Sequence, residues 1–289
     1  MVGDRETTVG RAWVIGVDGS EHSSRALRWA AHNAPGRAST LRVLRAWSAP
    51  VSGGLAMAPS MIDELQPETA DDSLDSLTAE LEPHGIAVDG LVEYGASATV
   101  LLSACDDADL LVMGTRGLGG FSRLLVGSTS HQCATHARIP VVVVPEPTDA
   151  DADIEQIVVG MDGSPGARAA LAWALDFAPG NAVVSVVGAS THGVATGAEP
   201  APGEADEALA EFDAAVGEVE AACEMNGRCE RYLIRDHAAA ALLAAASDAD
   251  LLVVGERGRR GLKLALLGSV TTEVLHRADR PVVVVPIGE

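Results

Sequence analysis

Two stretches of the chain place glycines and hydroxyls at a spacing suited to holding an anion. Gly114-Thr-Arg-Gly117 is followed after nine residues by Gly127-Ser128-Thr129-Ser130. Gly255-Glu-Arg-Gly258 is followed after nine residues by Gly268-Ser269-Val270-Thr271. Both read G-x-x-G, a nine-residue spacer, then G-S, with a hydroxyl three positions after the last glycine. Glycine admits positive φ and leaves backbone N–H groups open to a ligand, because no Cβ stands in the way. A helix beginning at Ser128 or Ser269 adds unpaired N–H donors and a partial positive charge. Arg116 and Arg257 hold the same place in both loops and are the better phosphate candidates. Arg259, Arg260 and Lys263 in the second spacer read equally as steering charges or as a solvated loop face.

A carboxylate accompanies each run. Gly16-Val-Asp18-Gly19-Ser20 and Gly160-Met-Asp162-Gly163-Ser164 each close a β-rich run. An aspartate there can accept hydrogen bonds from a sugar hydroxyl or an exocyclic amine, so a nucleotide on the carboxylate side with its phosphates on the helix side is the natural reading. Each element alone also reads as ordinary punctuation: a turn at G-x-x-G, an N-cap at Ser, a tight turn at Asp-Gly-Ser. Their joint recurrence favours a ligand site, although tandem copies share ancestry and are one observation.

The elements that must position these residues come from an internal repeat. Trp13-Val-Ile-Gly-Val-Asp-Gly-Ser20 returns as Ile157-Val-Val-Gly-Met-Asp-Gly-Ser164, and Asp107-Ala-Asp-Leu-Leu-Val-Met-Gly114 as Asp248-Ala-Asp-Leu-Leu-Val-Val-Gly255. Pro140-Val-Val-Val-Val-Pro145 returns as Pro281-Val-Val-Val-Val-Pro286. The reading is two domains, 1–147 and 156–289, with an acidic linker at 148–155. In each copy short β-rich runs alternate with helical patterns, which predicts α/β architecture with a parallel sheet. In the first copy the strands are 12–17, 41–46, 87–93, 110–113 and 141–144, and the helices are 23–33, 64–82, 98–105 and 128–137. In the second the strands are 156–161, 183–188, 229–234, 251–254 and 282–285, and the helices are 165–177, 205–225, 238–246 and 269–277. The continuously apolar fourth and fifth strands fit a sheet covered on both faces. Two tandem, doubly wound, parallel five-stranded sheets are expected, with the ligand crevice at the carboxyl ends of strands one and four. The all-valine fifth strand is a candidate sheet edge that invites pairing with another copy.

Composition narrows the function. The chain has 289 residues, 41 Asp and Glu against 20 Lys and Arg, and a formal charge of −21. Nucleic-acid binding is disfavoured, since phosphate backbones require a basic footprint, and aromatics at 3% leave little for base stacking. No run reaches the ~18 apolar residues of a membrane span, and Asp4, Arg5 and Glu6 do not look like a secretion signal; a cytoplasmic protein with no membrane partner is expected. Four cysteines without a C-x-x-C pair predict neither zinc nor redox chemistry. The loop motif G-x-x-x-x-G-K-[ST] is absent, so a loop-lysine NTPase is not expected. His131, His136 and His276 fall on the fourth helices and are no obvious base. A receiver-like phosphoacceptor would need a lysine after strand five, where Pro145 and Pro286 stand. A flavin carrier would need aromatics at its loops.

The combination resembles the universal stress protein family in its tandem, ATP-binding form, over nearly the whole chain. The resemblance implies strand order 3-2-1-4-5, of the adenine nucleotide alpha hydrolase-like type, with ATP across the crevice. Asp18 and Asp162 would lie by the adenine and ribose, adjoining Gly16 and Gly160. Gly114, Gly117, Gly127, Ser128, Thr129 and Ser130 would contact phosphate and ribose, as would Gly255, Gly258, Gly268, Ser269, Val270 and Thr271. The backbone at Ala46 and Ala189 would flank the base. Mg²⁺ would reach Asp18 or Asp162. Family members pair through strand five, so pairing of the two domains within one chain is expected, with a homodimer of whole chains left open. The expected role is a nucleotide-dependent stress or regulatory protein, at most a slow ATPase. The alternative is an interaction protein with vestigial pockets.

Overall fold

The computed structural model describes residues 12–48, 74, 77, 78, 86–117, 126–190, 203–223, 229–258 and 266–288. Of the helix expected over 64–82, Leu74, Leu77 and Thr78 are described and are helical; the rest of it, and the spacer residues 118–125 and 259–265, lie outside the described residues.

The first half runs β1 (Ala12–Gly16), α1 (Glu21–Asn33), β2 (Thr40–Trp47), β3 (Ala87–Tyr94), α2 (Ser97–Ala104), β4 (Leu110–Gly114), α3 (Ser128–His136) and β5 (Val141–Val144). The second runs β6 (Gln156–Gly160), α4 (Pro165–Phe177), β7 (Val183–Ala189), α5 (Glu204–Ala222), β8 (Cys229–Ile234), α6 (Ala238–Ala245), β9 (Leu251–Gly255), α7 (Ser269–Arg277) and β10 (Val282–Val285). The strands form one ten-stranded sheet in the order β3-β2-β1-β4-β5-β10-β9-β6-β7-β8. Each half keeps the expected order, all parallel, and strand four lies beside strand one in both. The two five-stranded sheets expected from the sequence are thus halves of a single sheet, paired through strand five as the resemblance implied. They join where β10 pairs antiparallel with β5, Val283 opposite Val142, so the apolar edges of both strands are covered.

The valine strands show why they carry no polar residue. Val142, Val144, Val283 and Val285 enter a core beneath α1, α4 and α5, and Val141, Val143, Val282 and Val284 enter the opposite core beneath α2, α3, α6 and α7. Both cores draw residues from both halves. Trp13 stacks on Trp29 and on Phe177 of α4, with ring centroids 6.4 and 6.1 Å apart, and the Arg37 guanidinium lies 4.7 Å above the Phe177 ring. The stretch 148–155 joins the same packing through buried Ala150 and Ile154.

Glu220 on α5 is 2% exposed. Its carboxylate accepts hydrogen bonds from the Cys229 N–H at 3.0 Å and from Arg231. Burial alone would push this carboxyl up, but those bonds hold it below the usual carboxylate range.

Candidate functional site

Both crevices are assembled in the same way. β1 and β6 end in a turn whose shape the aspartate sets. Asp18 Oδ1 accepts from Ser20 N at 3.0 Å, and Asp162 Oδ1 from Ser164 N at 2.9 Å. Gly19 and Gly163 take φ of 85° and 78° between them, the left-handed region open to glycine. Ser20 and Ser164 then cap the next helix, each accepting from an N–H three residues on, at 3.2 Å. This cap starts α1 at Glu21, two residues before the sequence expectation, because the serine itself is the boundary.

The other carboxylate oxygen faces the loop after strand four. A Cβ built on Gly117 would stand 2.2 Å from Asp18 Oδ2, and one on Gly258 would stand 2.5 Å from Asp162 Oδ2. The structure thus joins aspartate and second glycine in both halves, and a side chain at that glycine would displace the carboxylate.

The first glycine of each loop has another reason to be glycine. A Cβ on Gly114 would lie 2.7 Å from the His22 backbone, and one on Gly255 would lie 2.4 Å from the Gly166 backbone. Their close approach brings α1 and α4 onto the strand ends. A Cβ built on Gly16 or Gly160 would lie 3.1 Å from Leu101 or Leu242, so these two glycines admit the helices on the opposite face.

Beyond the spacer, Gly127 N donates to Thr115 O at 2.7 Å and Gly268 N to Glu256 O at 2.8 Å. The buried hydroxyls of Ser130 and Thr271 donate to Gly114 O and Gly255 O at 2.8 and 2.7 Å. Four groups expected to donate to a ligand are therefore committed to fastening α3 and α7 to the strands. What remains is the first turn of each helix. The amides of Ser128, Thr129 and Ser130, and of Ser269, Val270 and Thr271, have no intrahelical partner, and among the described residues no side chain caps α3 or α7. Ser128 and Ser269 are exposed there.

Arg116 and Arg257 each lie beside a carboxylate. Arg116 Nη2 lies 3.6 Å from Glu146, just past β5, and Arg257 Nη2 lies 3.5 Å from Glu256. Their Nε atoms are buried and have no hydrogen-bond partner among the described residues. Ala46 and Ala189 stand half-exposed at the carboxyl ends of β2 and β7. Sequence reasoning missed Thr115, whose Oγ1 lies 3.4 Å from His22 Nδ1; a lone threonine inside the loop carries no pattern that would single it out. Among the described residues no group of three or more His, Cys, Asp or Glu side chains could hold a metal ion, and no helix is long and apolar enough to cross a membrane.

A doubly wound α/β pair, with a glycine loop and a helix start at each strand-order reversal, defines the class: a tandem α/β protein built from two like halves. The family model for the universal stress protein family matches residues 11–145 and again 153–286, and the chain belongs to that family. It is 33% identical over 288 residues to a universal stress protein of Mycolicibacterium smegmatis, covering 94% of this chain and 96% of that one. It is 30% identical over 285 residues to one of Mycobacterium tuberculosis, covering 94% and 95%. A universal stress protein of Archaeoglobus fulgidus has the same fold, with TM-score 0.74 at 22% identity over 96% of this chain and 98% of that one.

Proposed function

We propose that each half binds one adenine nucleotide, ATP foremost, and that the protein acts as a nucleotide-dependent regulatory protein of the stress response inside the cell, turning over ATP slowly at most. The observation that carries this is the pair of bare helix starts. α1 and α4 begin under serine caps, whereas α3 and α7, at the strand-order reversals, begin at Gly127 and Gly268 with no side-chain cap among the described residues and with Ser128 and Ser269 exposed. First-turn amides, with the helix dipole behind them, favour phosphate oxygens. Asp18 Oδ2 and Asp162 Oδ2, beside the bare Cα of Gly117 and Gly258, supply acceptors for ribose or base on the other side. The donor set fits a phosphate tail through main-chain N–H rather than through arginine. A Mg²⁺ ion arriving with the phosphates would have Asp18 or Asp162 as its carboxylate, in keeping with that ion's habit of using few protein ligands and several waters.

Calorimetric titration with ATP tests the reading. Two sites per chain are expected. Gly117→Glu and Gly258→Glu each remove one, because the new side chain drives into the aspartate and adds like charge. Unchanged stoichiometry in both variants overturns the assignment. Freshly purified protein that releases no nucleotide on heating and shows no thermal shift with ATP favours the interaction protein with vestigial pockets.

A further inference from the structure

The two crevices share their scaffold but not their charge. Past Gly114 the first loop has Thr115, and past Gly255 the second has Glu256. Past Pro145 the first half has Glu146, and past Pro286 the second has Ile287. The carboxylate that neutralises the loop arginine has changed place between halves. Arg116 meets Glu146, a residue 61% exposed and beyond β5, while Arg257 meets Glu256, which is 13% exposed and inside the loop itself. Glu256 is also the residue whose carbonyl holds the N-cap of α7 through Gly268 N at 2.8 Å. Opposite it, Gly166 stands in α4 where α1 has His22, so the second half lacks the imidazole that meets Thr115 in the first.

We propose that Glu256 is a selectivity residue of the second crevice, set against the more highly charged phosphate tails; this deepens the nucleotide reading above and rests on it. Its carboxylate is shielded from water by burial and holds the nearest loop arginine, and it is carried by the residue whose carbonyl fastens the start of α7. Each further phosphate charge on a ligand is therefore opposed more strongly in the second crevice than it would be with a neutral residue there. In the first crevice the equivalent position is a neutral hydroxyl, and the counter-charge of Arg116 is exposed and screened by solvent. The second crevice thus takes monophosphates relatively better than its scaffold alone dictates, which gives one chain two different responses to the balance of triphosphate and monophosphate.

The test uses the full chain with the first crevice blocked by Gly117→Glu, titrated with ATP and separately with AMP at low salt, with and without Glu256→Gln. Glu256→Gln is expected to tighten ATP by about tenfold and AMP by about threefold or less, and the gain should shrink at high salt. Because the comparison is made in one background, the cations of the second spacer cancel. The reciprocal variant, Thr115→Glu in the Gly258→Glu chain, should weaken ATP more than AMP, and it serves also if Glu256→Gln fails to fold. Equal gains for ATP and AMP, or no gain for either, overturn the proposal while leaving the nucleotide reading in place. No binding of either nucleotide to the unaltered chain overturns the nucleotide reading and this proposal together.

Discussion

A single methyl group at Gly117 should separate ligand binding from folding at one crevice. In Gly117→Ala the new Cβ would be 2.2 Å from Asp18 Oδ2. An ordinary contact needs about 1 Å more, so the carboxylate has to turn away. Oδ1 then leaves the Ser20 N–H, now at 3.0 Å, and a charge-assisted hydrogen bond of about 1.5–3 kcal/mol is lost or weakened. At this chain length that lowers the melting temperature by roughly 3–6 °C. If Oδ2 is the acceptor that meets the ligand, the same movement removes a second bond of similar size, and the Kd of one site rises by about 10- to 100-fold while the other is unchanged. The assay is calorimetry with ATP beside a thermal melt. Gly180→Ala is the control: nothing stands within 4 Å of its Cβ position and its φ is not positive. A Gly117→Ala chain that binds two ATP with unaltered affinities would refute the placement of Asp18 at the ligand.

Other outcomes follow from the same geometry. Gly255→Ala sets a Cβ 2.4 Å from the Gly166 backbone, which cannot turn aside as a side chain can, and should destabilise the protein by about 3 kcal/mol in denaturant melts. Glu220 has a depressed carboxyl pKa in the fold, so its contribution is present above the ordinary carboxylate range and is lost as pH falls through the folded value; Glu220→Gln should cost about 2 kcal/mol at neutral pH and flatten the stability curve on the acid side. The first half expressed alone uncovers the β5 edge and Trp13, and size-exclusion chromatography should show it dimeric or aggregated rather than monomeric.

Much of this architecture was legible in the residues. Four-valine runs between prolines leave no polar face for solvent, so they belong to a sheet covered twice, and Cys229–Ile234, Ser269–Arg277 and Val282–Val285 form where their patterns put them. The strand-order reversal then located both crevices. What stayed hidden depends on partners distant in sequence. The stacking of Trp13 on Phe177, which makes the halves share a core, has no local signature. Ser130 and Thr271 look like ligand donors in the sequence because nothing there shows the Gly114 and Gly255 carbonyls turned toward them. Likewise the G-x-x-G pattern treats its two glycines alike, yet one admits a helix and the other a carboxylate. The direction of Arg116 follows from Glu146, which reads from sequence as the start of a linker.

The antiparallel meeting of β5 and β10 has a consequence for whatever docks on this molecule. Within each half every strand runs the same way, so the reversal at the midline sends the two sets of carboxyl ends to opposite rims of the sheet. The mouths are back to back rather than side by side. A molecule seated over one rim covers a single mouth and leaves its twin in solvent, so the chain is two-headed.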